Sequence, residues 1–153
     1  MKVKCLIFFL SIFNLKYSQP NYSLDARVEL ITDYIEVAYE GYDFSSYIYI
    51  GINRQKLYHV KKGSLLKIYD VSTALNGAGN DAQSFKPPIG LHEIHEKIGN
   101  DLPIGALFKH KHFTGDILQI SADTVPLDSV SDAITTRIMT LKGLENGVNF
   151  GSS

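Results

Sequence analysis

YIYIGINRQKLYHV, residues 47–60, decides the fold class. Tyr47-Ile48-Tyr49-Ile50 and Leu57-Tyr58-His59-Val60 are built from β-branched, aliphatic and aromatic residues, which fit a pleated, half-buried surface. Between them, Asn53-Arg54-Gln55-Lys56 is polar and turn-forming, so the stretch predicts a β-hairpin. Downstream, Lys61-Lys62-Gly63 turns the chain into a third strand over Leu65–Val71. Asn76-Gly77-Ala78-Gly79-Asn80-Asp81 follows as a loop of residues that tolerate left-handed backbone angles. Pro87-Pro88-Ile89-Gly90 excludes helix there, because proline removes an N–H donor and restricts the residue before it. Later strands are predicted at Leu91–Ile98, Ala106–Phe108, Ile117–Ile120 and Thr135–Leu141.

Upstream of the hairpin the period changes. Leu24, Val28, Ile31, Ile35 and Ala38 recur at spacings of four, three, four and three, one apolar stripe of an α-helix. Ser23 is placed to cap it, Asp25 sits in its positive first turn, and Gly41 is the expected stop. Asp25, Glu29, Asp33 and Glu36 make its polar face acidic, which argues against lying on a membrane surface. Earlier still, Lys2 and Lys4 precede an apolar run from Leu6 to Phe13, with polar residues from Asn14 to Pro20. That is the layout of a secretory signal peptide over residues 1–20, and the run is too short for a membrane span. Lys16 makes the region before Ser18 a poor cleavage site; the alternative is a buried N-terminal strand or helix. Cys5, the one cysteine, lies in this leader, so a processed chain would hold no thiol for a disulfide or a nucleophile.

The 153 residues suffice for one ordinary domain, and 44% hydrophobic with 20% charged residues is the composition of a chain that buries a core. A formal net charge of -1 without a basic cluster gives no footprint for nucleic acid. The expected organisation is a leader (1–20), an N-terminal amphipathic helix (21–41) and a mostly β domain from residue 45 onward.

Several residues invite a chemical reading. His92, Glu93, His95 and Glu96, with His110 and His112, supply the ligand types of a zinc site. A strand, however, sends residues 92 and 95 to opposite faces, and Lys109 and Lys111 would repel a cation beside His110 and His112. No metal or cofactor is expected. The glycine loop leads into Ser84-Phe85 and a proline pair rather than a helix N-terminus, so it lacks the donors of a phosphate cradle. No Gly-x-Ser-x-Gly elbow marks a serine nucleophile.

Taken in order, Val71-Ser72-Thr73, Asn76–Asn80, Ser84-Phe85-Lys86-Pro87-Pro88-Ile89-Gly90-Leu91-His92, Lys97-Ile98-Gly99, Pro103-Ile104-Gly105, Thr114-Gly115, Ile134-Thr135-Thr136-Arg137-Ile138 and Gly143-Leu144-Glu145-Asn146-Gly147-Val148-Asn149 resemble the L,D-transpeptidase catalytic domain, which cross-links bacterial peptidoglycan. Gln55, in a Gln-x-Leu-Tyr context, fits the opening of the same fold. The resemblance runs from about Tyr47 to Asn149. Pro87 stands where the family usually has threonine, which removes a hydroxyl and an N–H donor.

The resemblance implies a mixed and antiparallel β-sandwich of the L,D-transpeptidase type, exported to the periplasm or cell envelope, with murein stem peptides as partners. In that family a cysteine thiolate attacks a stem-peptide carbonyl, expels D-alanine, and passes the acyl group to a second stem's amine. The thiol and its histidine come from His-Gly-Thr and Ser-His-Gly-Cys segments beyond the Gly-Leu-Glu stretch, and neither occurs here. The expectation is therefore an incomplete, inactive catalytic domain with no catalytic residue to assign, marginal in stability when isolated. The alternative is a non-catalytic envelope module that grips peptidoglycan or a partner.

Overall fold

The hairpin forms as the alternation demands. In a computed structural model, which describes residues 4–8, 24–81, 84–118 and 134–150, β2 (Ser46–Gly51) and β3 (Lys56–Lys61) pair antiparallel around a 3-10 turn at Ile52–Arg54. Tyr47 stands opposite Val60 and Tyr49 opposite Tyr58, so one face of the ribbon carries three aromatic rings and a valine. Tyr47, Tyr58 and Val60 are buried, and the Tyr49 and Tyr58 rings tilt together at 5.8 Å. Gln55 closes the turn with a left-handed φ of 51°.

The helix α1 (Leu24–Ala38) lays its stripe on that face. Val28 and Ile35 are buried with Phe44, Tyr47, Val60 and Leu91 in one core cluster, and Ile31, Tyr39, Tyr49, Leu65 and Leu144 pack around it. Thr32 holds the contact polar at one point: its hydroxyl bonds the Val28 carbonyl and meets the Tyr47 hydroxyl at 2.8 Å. Ala38, the expected end of the stripe, is exposed. Ser23 lies outside the described residues.

β4 (Ser64–Asp70) pairs antiparallel with β3, with a register shift at His59/Val60, and is an edge strand. Lys56 forms an ion pair across this ribbon with Asp70. On the other side of β2 lies β1 (Lys4–Phe8), parallel to β2 and antiparallel to β5 (Gly90–Ile98). Parallel neighbours need a long crossover, and α1 occupies the one between β1 and β2. β9 (Ile138–Gly143) completes a mixed sheet of order β4-β3-β2-β1-β5-β9. Residues 4–8 of the expected leader thus form a strand inside this sheet, while the remainder of residues 1–20 lies outside the described residues.

The chain divides into two compact units, Met1–Glu93 with Lys142–Ser153, and Ile94–Leu141. The second holds a three-stranded antiparallel sheet of order β7-β6-β8, from β6 (Ala106–Lys109), β7 (His112–Ile117) and β8 (Ile134–Thr135). Ala106 and Phe108 are buried, and Phe113 packs its ring on Phe108 at 6.2 Å.

Two expected strands are corrected. The strand placed at Ile117–Ile120 runs instead over His112–Ile117, because His110 and Lys111 both take positive φ (49° and 68°) and reverse the chain in two residues. Residues 119–120 lie outside the described set. The strand placed at Thr135–Leu141 is two strands, broken where Thr136 takes φ 72° and its hydroxyl accepts from the Gly105 N–H. The described chain is mostly β, with mixed and antiparallel sheets and one α-helix.

Ile35 is fully buried in the cluster that joins α1 to β2 and β3. Ile35→Ala is expected to destabilise the full chain by about 2–5 kcal/mol, read as a lower denaturation midpoint with unchanged slope. Val37→Ala, at an exposed position of the same helix, should move the midpoint little.

Candidate functional site

The entry of β5 into the sheet is held by side chains from far along the sequence. The Leu91 N–H donates to Glu145 Oε2 at 2.6 Å, and the Leu144 N–H donates to the Leu91 carbonyl at 3.0 Å. Asn149, buried to 1%, donates from Nδ2 to the Ile89 and Leu91 carbonyls at 3.0 and 3.2 Å, while its Oδ1 accepts from the Glu145 N–H at 2.9 Å. Nδ2 also lies 3.3 Å from Glu145 Oε2. The residues between Glu145 and Asn149 form a tight turn whose N–H groups at 148, 149 and 150 point back to the Glu145 carbonyl. Gly90 is required by this arrangement. Its φ of 94° is left-handed, and a Cβ there would run into the Glu145 carboxylate and the Asn149 amide.

The segment before β5 is tied in the same way. Asn80 Oδ1 accepts from the Ile89 N–H at 2.8 Å, and the Gly79 N–H donates to the Pro87 carbonyl at 3.2 Å. The glycine loop and the proline turn are thereby stitched together, without the helix N-terminus a phosphate would need. Gln55 makes a third bracket. Its Nε2 donates to the Ile52 carbonyl and Thr73 Oγ1 at 2.6 and 2.7 Å, its Oε1 accepts from the Thr73 N–H at 2.8 Å, and its carbonyl accepts from the Val71 N–H. One amide side chain thus fixes the exit of β4 against the β2–β3 turn.

Electrostatics separate the titratable groups sharply. His92 is fully buried on β5, with Nδ1 3.0 Å from the Gly90 carbonyl and Nε2 without a hydrogen bond. Burial holds its pKa below the usual histidine value, against the Gly90 carbonyl and the Glu145 charge, so the ring is neutral. Directly opposite on β1 stands Cys5, also buried, whose thiol is pushed up to about 12 by burial. Tyr39 is raised as well, first by burial and then by the Glu145 carboxylate beside its hydroxyl.

His95 and Glu96, on the outer half of β5, are exposed, so His92 and His95 do occupy opposite environments. His110, between Lys109 and Lys111 in the β6–β7 turn, and His112, the first residue of β7, are both exposed. Among the described residues no three His, Cys, Asp or Glu side chains are grouped to hold a metal ion. Sequence reasoning singled out no site residue and gave Glu145 and Asn149 no role beyond their place in the Gly-Leu-Glu stretch. A usable signal was their i, i+4 spacing around Gly147 after a strand, where a carboxylate and an amide can reach backbone groups.

No family model, no curated protein and no solved structure matches the chain.

Asn149→Ala takes the side-chain partner from the Ile89 carbonyl and the Glu145 N–H and leaves the Leu91 carbonyl with the Leu144 N–H, so a loss of about 1–3 kcal/mol is expected in chemical denaturation. Asn149→Asp should be at least as damaging, since a carboxylate cannot donate to Ile89 or Leu91. His92 sets a pH dependence. Its folded pKa is depressed, so as pH falls the unfolded chain binds the proton first, and stability declines below the free-histidine value of about 6.5. The decline stops once the folded ring itself protonates. Denaturation midpoints at pH 7.5 and 5.5 should therefore differ less in His92→Asn, which keeps a donor for the Gly90 carbonyl, than in the parent.

Proposed function

We propose that this chain carries the framework of an L,D-transpeptidase-type envelope protein, and that residues 1–153 do not by themselves catalyse acyl transfer. One observation carries the reading. The residues that resemble the family motifs are the same ones that hydrogen-bond to each other: Gln55 with Thr73, Asn80 with Ile89, and Glu145 and Asn149 with Leu91. Separations of 18, 54 and 58 positions make three of them long-range brackets, while Asn80 and Ile89, 9 positions apart, close one loop. A mixed and antiparallel β-sandwich of the L,D-transpeptidase type is the finer architecture this reading assigns, and murein stem peptides are its substrate class.

The chemistry explains why the proposed enzyme is silent. Acyl transfer through a thioester needs a thiolate at neutral pH, a base to make it, and donors for the oxyanion. Cys5 is the one thiol, and at about 12 its pKa leaves roughly one molecule in a hundred thousand ionised at pH 7. Its cross-strand neighbour His92 commits Nδ1 to a backbone carbonyl. Neither group reaches solvent, so no stem peptide meets them. If the export leader is removed, even this thiol goes with it.

The test is direct. Purified full chain incubated with tetrapeptide-bearing muropeptides should release no D-alanine and exchange no labelled D-amino acid above a protein-free control. Exchange that vanishes on alkylation would refute the silent reading. Retention of the chain on insoluble murein would instead favour a binding module.

A further inference from the structure

The position of β1 in the sheet points to a binding surface. Lys4–Phe8 lies between two longer strands and pairs on both sides over its first four residues: Lys4 between Tyr47 and Glu93, Cys5 between Ile48 and His92, Leu6 between Tyr49 and Leu91, Ile7 between Ile50 and Gly90. A short strand so placed is bonded through its backbone along both edges, and side-chain pockets at alternate positions set what fits. Residues 9–23 join it to α1, whereas β2, β3 and β5 are bound to the rest of their unit by the hairpin, the Gln55 bracket and the Glu145–Asn149 clamp.

The slot is selective at the two positions whose side chains are described. At the first, the Lys4 ammonium sits 4.1 Å from the centre of the Tyr42 ring. The Asp43 carboxylate lies near enough that Lys4 lowers its pKa, after the larger effect of the Ser45 hydrogen bonds. Glu93 is its partner across the strand pair and also pairs with Lys142 at 3.5 Å. Two carboxylates and an aromatic face make a site for a cation. At the second position, Cys5 is 3% exposed between Ile48 and the fully buried His92, so there is room for a small uncharged side chain and no more. The next three residues of the occupant are leucine, isoleucine and phenylalanine.

We propose that the slot between β2 and β5 is a strand-acceptor site for an extended peptide of the pattern cation, small, then three apolar residues, with Lys4–Phe8 as its exchangeable occupant. A chain cut between β1 and α1, as leader processing would do, accepts such a segment from another polypeptide, parallel to β2 and antiparallel to β5. The site depends on the sheet alone and stands whether or not the transpeptidase reading does.

The test uses the full chain with a protease recognition sequence inserted between Asn14 and Gln19. The chain is folded, then cut in the presence and absence of a labelled peptide of residues 2–9 carrying Cys5→Ala. The expected result is a nicked protein that keeps its N-terminal fragment through gel filtration and exchanges it for the labelled peptide. A Cys5→Arg peptide should bind at least about a hundredfold more weakly, since it would bury a charge beside a neutral histidine. A Lys4→Glu peptide, facing two carboxylates, should bind about tenfold more weakly. Three outcomes overturn the proposal: the fragment leaves while the thermal transition is unchanged; the Cys5→Arg peptide exchanges as well as the Cys5→Ala one; or the nicked protein precipitates even under saturating Cys5→Ala peptide.

Discussion

The first residues of β5 depend on a polar clamp that no strand partner could replace. A strand entering a sheet leaves backbone groups at its start that lie beyond the ladder, and buried groups of that kind must find donors or acceptors elsewhere. Here Glu145 takes the Leu91 N–H and Asn149 takes the Ile89 and Leu91 carbonyls, from a turn more than fifty positions away. The clamp explains several features at once. Gly90 must be glycine because the carboxylate and the amide occupy the space a side chain would need. Asn149 must be both donor and acceptor, because it serves two carbonyls and the Glu145 N–H together. Leu91 can then be fully buried against α1, since its backbone polar groups are already satisfied.

The clamp also sets the character of the residue that follows. With β5 pinned at Leu91, His92 is turned to the opposite face, buried, its Nδ1 taken by the Gly90 carbonyl. A histidine in that position is a structural group. Desolvation keeps it neutral, and the Glu145 charge is too weakly coupled to overcome that. The same low-polarity surroundings raise the Cys5 thiol opposite. Two residue types that make a nucleophilic pair when one can ionise the other are inert here, because burial disfavours both the thiolate and the imidazolium. Identity of residues and adjacency in the sheet do not make a site without solvent access and charge stabilisation.

Local patterns made most of the fold legible and left the joints hidden. The hairpin at 47–60 and the stripe from Val28 to Ile35 follow from period two and period 3.6, and both elements form within a residue or two of the expected limits. The strand expected at Ile117–Ile120 begins earlier, at His112, because Lys109-His110-Lys111-His112 carries no glycine or asparagine, the usual mark of a two-residue turn, yet adopts one. Thr136 misled for a similar reason: a β-branched residue reads as strand, and only its bond to the Gly105 N–H, 31 positions away, shows why it sits at positive φ. The Gln55 and Asn149 brackets were invisible to periodicity, since a single amide's partners are set by tertiary placement.

β1 shows how one short sequence can satisfy two different selections. A leader needs a positive start and an apolar stretch; a central strand needs apolar side chains and β-branched or aromatic residues. Lys4-Cys5-Leu6-Ile7-Phe8 meets both, and composition alone does not separate them. What separates them is the register. In the sheet Lys4 falls beside Tyr42, Asp43 and Glu93, and the one small residue falls where Ile48 and His92 leave little space. A generic apolar run would place those two side chains without regard to charge or size. Backbone pairing on both edges fixes the register, the register fixes the neighbours, and the neighbours discriminate among sequences that hydropathy treats as equal.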